Sequence, residues 1–159
     1  MKTISLTKGM DAIVDDVDYM ELSKYKWHAR KTPGGYYACR NARRVNGKQV
    51  PIMMHSLLCP VPTGMEVDHV DGDPLNNTRN NLRACTRSQN QFNKGKYKNN
   101  TSGYKGVGYI QRTGRWRVRI NVNRETIYLG NYETKEFAAS VYNEACLRYH
   151  LKFAKPNII

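Results

Sequence analysis

The feature that most constrains the fold is the alternation of apolar and polar residues in the stretch RWRVRIN, residues 115–121. Successive side chains of a β-strand point to opposite faces of a sheet. One face of such a strand would carry the apolar residues Trp116, Val118 and Ile120. The other face would carry Arg115, Arg117, Arg119 and Asn121. The stretch therefore predicts a strand with an apolar face packed on the protein and a basic face available to a ligand.

Two strand-like runs and one helical pattern surround this stretch. YKGVGYI precedes it across the turn QRTG, and TIYLGNY follows it. A helix is predicted after Thr134, a favourable N-cap residue, and Glu136 in its first turn suits the helix dipole. Its apolar residues recur at helical spacing and are Phe137, Ala138, Val141, Tyr142, Ala145 and Tyr149. We therefore expect a three-stranded antiparallel sheet packed on one α-helix.

The first third of the chain is predicted to be rich in short strands. The runs TISLT, DAIVDD, KYKWHAR, YYACRNARR and KQVPIMMH are separated by turn signals, and the Asn-Gly pair at 46–47 favours a hairpin. MHSLLCPVPTGM should be a short helical or extended piece, interrupted by its prolines. Residues 94–101 are polar and lack apolar periodicity, which predicts a linker.

The net charge of the chain indicates the kind of molecule that it binds. The 159 residues include 26 Lys and Arg against 13 Asp and Glu, a net charge of +13, and no acid lies between Leu75 and Arg124. Such a stretch repels itself unless a polyanion neutralises it, and nucleic acid is the usual partner. A solvated basic surface is the alternative.

Membrane and disulfide-rich classes are disfavoured. The sequence lacks an apolar run long enough for a membrane span, and its start, MKTISLTKGMD, lacks the apolar segment of a signal peptide. The four scattered cysteines form no C-x-x-C pair, so neither a zinc knuckle nor a disulfide framework is indicated. A cytoplasmic protein is expected.

An acidic cluster interrupts this basic chain. VDHVDGDPLNN, residues 67–77, gathers Asp68, Asp71 and Asp73 around His69. Hydrolysis of a phosphodiester needs a divalent cation, which takes oxygen ligands if it is hard, and a base such as histidine. Adjacent strand residues point apart, so Asp68 and His69 can serve one phosphate only if the chain bends nearby. The alternatives are a plain turn loop, and a calcium loop that lacks the closing glutamate of the EF-hand.

The stretch VDHVDGDPLNNTRNNLR, followed by TRSQNQFN, resembles the HNH endonucleases of phages and introns. In that family two strands and a helix surround one metal ion, in a ββα-metal (His-Me) finger. The resemblance implies that His69 is the general base and Asp68 a metal ligand. It also implies that Asn81 holds the loop and orients the catalytic histidine, and that Asn90 is the second metal ligand. Many members carry histidine at that last position, whereas this chain carries Asn90. Because an amide oxygen is a hard ligand, Mg²⁺ or Mn²⁺ is expected here and not zinc.

Further residues near this motif are candidates for supporting roles. His55 stands where many relatives have a histidine, so a structural or phosphate-contacting role is expected. Arg83 and Arg87 flank the motif and could bind phosphate, since arginine matches its geometry bidentately. General contact with the DNA backbone is an equally good interpretation for both. Asp71 and Asp73 are expected to shape the turn.

Residues 102–157 resemble the DNA-binding domain of plant ethylene-response factors, which also occurs in phage homing endonucleases. The matching landmarks are YKGV, GRW, YLGNYET, EFAASVYNEA and FAKPN. In that family the strands lie in the DNA groove. The residues that would face DNA are Lys105, Arg117, Arg119, Asn121, Thr126 and Tyr128, with Arg115 added by the alternation. Gly108, Arg119 and Tyr128 depart from the plant pattern, so the plant target sequence is not expected.

The resulting prediction is an α+β chain with two modules. An HNH nuclease domain at 1–93 would contain a β-rich part at 1–54 and the finger at about 64–93, followed by the linker 94–101 and a DNA-binding domain at 102–159. The expected function is site-specific cleavage of double-stranded DNA with Mg²⁺ or Mn²⁺, nicking as a monomer unless two copies form a homodimer. The resemblance implies a phage or prophage mobile element in a bacterial host.

The sequence allows two other functions. The first is a non-catalytic, sequence-specific DNA-binding regulator with a relic finger, against which the intact Asp68, His69 and Asn90 argue. The second is an RNA-binding accessory protein, which fits less well because the major groove of RNA is too narrow for a sheet.

Overall fold

A computed structural model of the chain describes residues 1–45, 48–96 and 99–159. Within these ranges the protein is mixed α/β, with several small antiparallel sheets and four α-helices. The chain divides into two compact units, Met1–Thr86 and Arg87–Ile159. No helix in the described ranges is both long and apolar enough to cross a membrane.

In its described residues the first unit contains three small antiparallel sheets, which pair β1 with β2, β4 with both β3 and β5, and β6 with β7. Its strands are β1 (Lys2–Ser5), β2 (Asp11–Val14), β3 (His28–Thr32), β4 (Gly35–Val45), β5 (Lys48–Met53), β6 (Glu66–His69) and β7 (Leu82–Cys85). Its helices are α1 (Asp16–Leu22) and α2 (Met54–Leu58). The core side chains come from β1 to β4, from both helices and from Leu6 and Trp27 in the connecting segments. Val14, Trp27 and Met54 are among the most buried.

The prediction for residues 1–58 is largely confirmed. Each strand-like run contains a strand, and the segment that begins at Met54 is a short helix that ends before Pro60. The helix α1 was missed. Its signals were the acids Asp16 and Asp18 in the first turn and the buried Leu22 at its end. The predicted Asn-Gly turn at 46–47 lies outside the described residues, as do residues 97–98 of the predicted linker.

The part of the second unit that the structure describes contains one sheet and two α-helices. Its elements are α3 (Arg87–Asn93), β8 (Val107–Ile110), β9 (Arg115–Val122), β10 (Glu125–Tyr132) and α4 (Lys135–His150). The sheet is antiparallel with β9 in the centre. Val118 and Ile120 of β9 are fully buried and pack in one core with Tyr142 of α4. The three strands, the central alternation and the following helix are as predicted.

The start of α4 is as predicted, but its buried face is only partly so. Thr134 is the N-cap, and its hydroxyl accepts a hydrogen bond from the amide of Phe137 at 3.3 Å. The side chains of Phe137 and Tyr149 are exposed, although their spacing matched the apolar pattern, whereas Cys146 and His150 are buried. The residues that α4 buries therefore differ in part from those that its apolar pattern predicted.

The chain continues from β6 through β7 to α3, the order expected of a ββα finger. Packing of these three elements around one ion stays a prediction, and so do the predicted domain limits.

Candidate active site and nucleic-acid face

Asp68 and His69 are the last two residues of β6. On the antiparallel strand β7, Arg83 pairs with Asp68 and Leu82 pairs with His69. Asp68 and His69 are buried, with 4% and 6% of their surface exposed. The chain bends directly after them, where the amide of Gly72 donates to the carbonyl of His69 at 2.9 Å and Gly72 has a φ of 85°. Glycine adopts this conformation without strain, and the expected bend is confirmed.

The carboxylate of Asp68 forms an ion pair with the guanidinium of Arg83. Nη2 of Arg83 lies 2.7 Å from Oδ2 of Asp68, and Nε donates to the same oxygen at 2.8 Å. Solvent screens a pair this deeply buried only weakly. Arg83 therefore supplies the counter-charge of Asp68 in this structure, and its predicted contact with DNA stays a prediction.

The side chain of Asn81 spans the loop between β6 and β7. Its Oδ1 accepts from the amide of Asp71 at 3.0 Å, while its Nδ2 donates to Oδ1 of Asp71 at 2.9 Å and to the carbonyl of Asn76 at 2.8 Å. Its own carbonyl accepts from the amide of Val70 at 2.9 Å. These bonds hold the loop together, and the catalytic role assigned to Asn81 stays a prediction.

Asp71 and Asp73 shape the turn, as expected. Asp71 accepts from the amide of Asp73 at 2.8 Å and from Nδ2 of Asn76 at 2.7 Å, and Asp73 accepts from the amide of Leu75 at 2.9 Å. Burial alone would raise the pKa of Asp71, but the hydrogen bonds from Asp73, Asn76 and Asn81 lower it below its usual value. Asp71 is therefore charged at neutral pH and keeps these bonds.

Residues distant in sequence anchor the same loop. The amide of Ile13 donates to the carbonyl of Leu75 at 2.9 Å, and the amide of Asn77 donates back to Ile13 at 2.8 Å. The guanidinium of Arg79 binds both carboxylate oxygens of Asp18, with Nε–Oδ2 of 2.8 Å and Nη2–Oδ1 of 2.6 Å. Sequence reasoning missed this pair because no local pattern joins residues so far apart.

The imidazole of His69 is held in its neutral form. Burial lowers the pKa of His69 below its usual value, while the amide of Asn77 and the carboxylates of Asp71, Asp68 and Asp73 act in the opposite direction. Neutral imidazole can accept a proton, which is what a general base requires.

Two aromatic rings contact His69 from other elements. The ring centroid of His55 lies 5.3 Å away and that of Tyr37 lies 5.9 Å away. Burial, with a smaller contribution from His69, lowers the pKa of His55 to about 4. The sequence had marked His55, but Tyr37 was missed because its surroundings carried only a strand signal.

The donor chemistry around Asp68 fits a hard cation that takes few protein ligands. Within the described residues, no group of three or more His, Cys, Asp or Glu side chains is arranged to hold an ion. Mg²⁺ is commonly bound by one or two carboxylates, with water and substrate phosphate completing its shell, and one buried carboxylate suits that pattern.

Asn90 and Arg87 lie on α3 and thus in the second unit. The joint metal site of Asp68 and Asn90 stays a prediction, as does the phosphate contact of Arg87.

Helix α3 is fixed within the second unit by two contacts. Nζ of Lys105 donates to the carbonyls of Phe92 and Lys94, at 2.5 and 2.7 Å. The ring of Phe92 stacks on that of His150, with centroids 3.8 Å apart and planes 7° from parallel. Lys105 thus caps α3 in this structure, and its contact with DNA stays a prediction. His150, which lacked a motif, was missed as a core residue.

The outer face of the second unit's sheet gathers most of the predicted DNA contacts. In the register of β9 and β10, Arg119 pairs with Tyr128 and Asn121 pairs with Thr126, whose hydroxyl donates to Oδ1 of Asn121 at 2.7 Å. All four are exposed, and Tyr128 most clearly, at 57%. Arg115 is exposed and Arg117 half-buried on the same face. The sheet therefore presents cations, amide and hydroxyl groups and one aromatic ring together.

Comparison with known proteins gives the chain a clear set of relatives. A family model described as HNH endonuclease matches residues 59–92. A protein of Acanthamoeba polyphaga mimivirus described as an uncharacterized HNH endonuclease is 33% identical over 154 residues, which are 96% of this chain and 77% of that protein. Protein 3.8 of Escherichia phage T7 is 32% identical over 83 residues, or 52% of this chain and 69% of that protein.

Plant proteins match a shorter part of the chain. The ethylene-responsive transcription factor WRI1 of Arabidopsis thaliana is 34% identical over 70 residues, which are 43% of this chain and 15% of that protein. This match is consistent with the resemblance predicted for residues 102–157.

Proposed function

This chain belongs to the HNH endonuclease family, and on that premise we propose that it is a site-specific, homing-type DNA endonuclease that nicks one strand as a monomer. The observation that carries the proposal is His69, a buried, neutral imidazole next to a buried carboxylate at the end of β6. Its products would carry 5′-phosphate and 3′-hydroxyl ends.

His69 acts as the general base. It takes a proton from a water molecule, which then attacks the phosphorus in line with the departing 3′ oxygen. The low pKa of His69 keeps the imidazole ready to accept that proton at neutral pH. Asn81 keeps the loop that follows His69 in place through its bonds to Asp71 and Asn76.

Asp68 and Asn90 would hold one divalent ion, Mg²⁺ or Mn²⁺. Such an ion neutralises charge that develops on the phosphate oxygens and on the leaving group. Arg83 pairs with Asp68 from β7 and holds the buried carboxylate in place. Family membership and the carboxylate-and-amide donor set support this assignment.

The sheet of the second unit grips the substrate. A sheet can enter the major groove, where arginine pairs bidentately with guanine and aromatic or hydroxyl groups contact other base edges. Arg115, Arg117 and Arg119 would neutralise phosphates or read bases, and Asn121, Thr126 and Tyr128 would add contacts. The exposure of this face supports the proposal.

The test is a nicking assay on supercoiled plasmid with Mg²⁺, including a library made from the genome that carries the gene. Wild type should nick, and His69→Ala should lose about 10²–10⁴-fold in rate. His28→Ala is the matched control, because His28 lies on β3 outside the site and should keep full activity. Absence of metal-dependent cleavage on every DNA would reject the enzyme, and unchanged cleavage by His69→Ala would reject the assigned base.

A further inference from the structure

Three aromatic side chains from separate elements meet at the proposed base. Tyr37 belongs to β4, His55 to α2 and His69 to β6. The ring centroids are 5.5 Å apart for Tyr37 and His55, 5.9 Å for Tyr37 and His69, and 5.3 Å for His55 and His69, with interplanar angles of 71°, 70° and 89°. Aromatic pairs favour this edge-to-face geometry. His69 is therefore contacted by two rings that do not belong to its own hairpin.

Both partner rings come from elements that are well anchored in the first unit. Tyr37 lies on β4, the central strand of its sheet, and its hydroxyl lies so close to Gly34 that a Cβ on that glycine would stand 2.9 Å away. His55 follows Met54, which is fully buried in the core, and the carbonyl of His55 accepts from the amide of Cys59 at 2.9 Å. The backbone that carries each ring is therefore held by its own element.

The hairpin that carries His69 is held to β2 and α1 through its loop, at the end where His69 lies, and its strands form a small sheet. Within the described residues, β6 and β7 form a sheet of their own, with four residues in each strand. A two-stranded hairpin by itself is marginal in water. The orientation of a side chain at its last position therefore depends on contacts from outside the hairpin.

We propose that Tyr37 and His55 are positioning residues that hold the imidazole of His69 in the orientation in which it takes a proton from water. This inference rests on the proposed role of His69 as the base. Misplacement of a reacting group by about 1 Å can cost about 10²-fold in rate. His55 suits the task because it is neutral at neutral pH and adds no charge beside the base.

The kinetic experiment compares Tyr37→Leu with Tyr37→Phe in the full chain. Tyr37→Leu removes the ring and should lower kcat by about 10- to 100-fold, because the imidazole loses a fixed orientation. KM and DNA affinity should stay unchanged, since Tyr37 is not assigned a contact with substrate. Tyr37→Phe keeps the ring without the hydroxyl and should restore kcat. His55→Leu and His55→Phe form the same comparison for the second ring.

A second readout does not require cleavage. The χ1 angle of His69, measured from its three-bond scalar couplings by NMR, should report one rotamer in the wild type and in Tyr37→Phe. In Tyr37→Leu it should report averaging among rotamers, while the amide signals of β6 and β7 show that the hairpin remains folded.

The outcomes separate this inference from the proposed function. A wild type that cuts no DNA but shows the expected NMR difference would reject the nuclease and keep the positioning role. Unchanged couplings in Tyr37→Leu would overturn the positioning role even if the wild type cleaves. Equal loss of kcat in Tyr37→Phe and Tyr37→Leu would overturn it as well, because the hydroxyl and not the ring would then be responsible.

Discussion

Asp68 and Arg83 face each other across the β6–β7 hairpin, and Nε and Nη2 of the guanidinium both meet Oδ2 of the carboxylate, at 2.8 and 2.7 Å. Their side chains are 5% and 18% exposed, so the hairpin buries a charge pair beside the proposed base. Burial of a carboxylate without a counter-charge would lower the stability of the fold. Arg83 therefore stabilises the folded hairpin by supplying that counter-charge.

Replacement of Arg83 by Met should expose that cost. We expect the free energy of unfolding in EDTA to fall by about 3 kcal/mol, since the buried carboxylate loses the positive charge of Arg83. Mg²⁺ should recover part of the loss if Asp68 binds it, because a ligand of the folded state stabilises that state. Urea unfolding can be followed by the fluorescence of the buried Trp27 in a Trp116→Phe background.

Arg30→Met is the matched control, because it removes the same charge from an exposed position on β3. A loss in Arg83→Met no larger than in this control would show that the ion pair does not support the fold.

The bonds of Asn81 predict a local loss of stability. Asn81→Ala removes three side-chain hydrogen bonds within the loop, and we expect about 2–3 kcal/mol less stability of the first unit. Asn80→Ala should leave the free energy of unfolding almost unchanged, because the side chain of Asn80 is exposed. Trp27 fluorescence again measures both variants, and equal stabilities would contradict the role assigned to Asn81.

Sequence periodicity predicted the second unit well because its structure is set by local rules. In β9 a two-residue period separates Val118 and Ile120 from the arginines, and Thr134 begins α4 through a bond to a residue three positions on. The same rules failed for α1, where a short helix depends on acids in its first turn and one buried leucine.

The candidate site was predictable only where its residues are close in sequence. Asp68, His69 and Asn81 belong to one motif, so their spacing carried the information. Tyr37 reaches His69 from another sheet, and its position depends on how the first unit packs. Arg79 binds Asp18 across 61 positions of sequence, for which one sequence offers no local signal.

Close packing at Gly106 predicts a test of the second unit. A Cβ there would stand 2.1 Å from Cδ2 of Tyr142 and 2.7 Å from the carbonyl oxygen of Arg119, and the φ of Gly106 is +78°. Gly106→Ala should therefore destabilise this unit by at least about 3 kcal/mol and abolish DNA binding. Gly108→Ala meets nothing within 4 Å and should fold normally, as amide NMR spectra of both variants would reveal.

An arginine on β9 and one in the neighbouring turn should differ in their effect on sequence-specific DNA binding. Arg119→Ala should weaken binding to the target by about 1–3 kcal/mol if Arg119 reads a base. Arg112→Ala removes the same charge from the exposed β8–β9 turn and should change affinity about equally for target and random DNA. Fluorescence anisotropy with both DNAs at several salt concentrations measures this, and equal effects on both DNAs in Arg119→Ala would exclude base reading there.

The low pKa of His55 predicts how stability depends on pH. His55 has a pKa of about 4 in the folded protein against 6.5 as its usual value, so the unfolded chain binds more protons between these limits. Stability that is complete above pH 6.5 should therefore be lost as the pH falls toward 4. The difference corresponds to at most about 3 kcal/mol, and partial exposure reduces it.

His55→Gln should remove this component, so its free energy of unfolding should fall less than that of the wild type between pH 7 and pH 4.5. His69 contacts His55 and also has a lowered pKa, so part of the pH dependence should remain. His28→Gln, on β3, should keep the wild-type slope. Parallel slopes for His55→Gln and wild type would mean that the His55 imidazole is not held neutral by the fold.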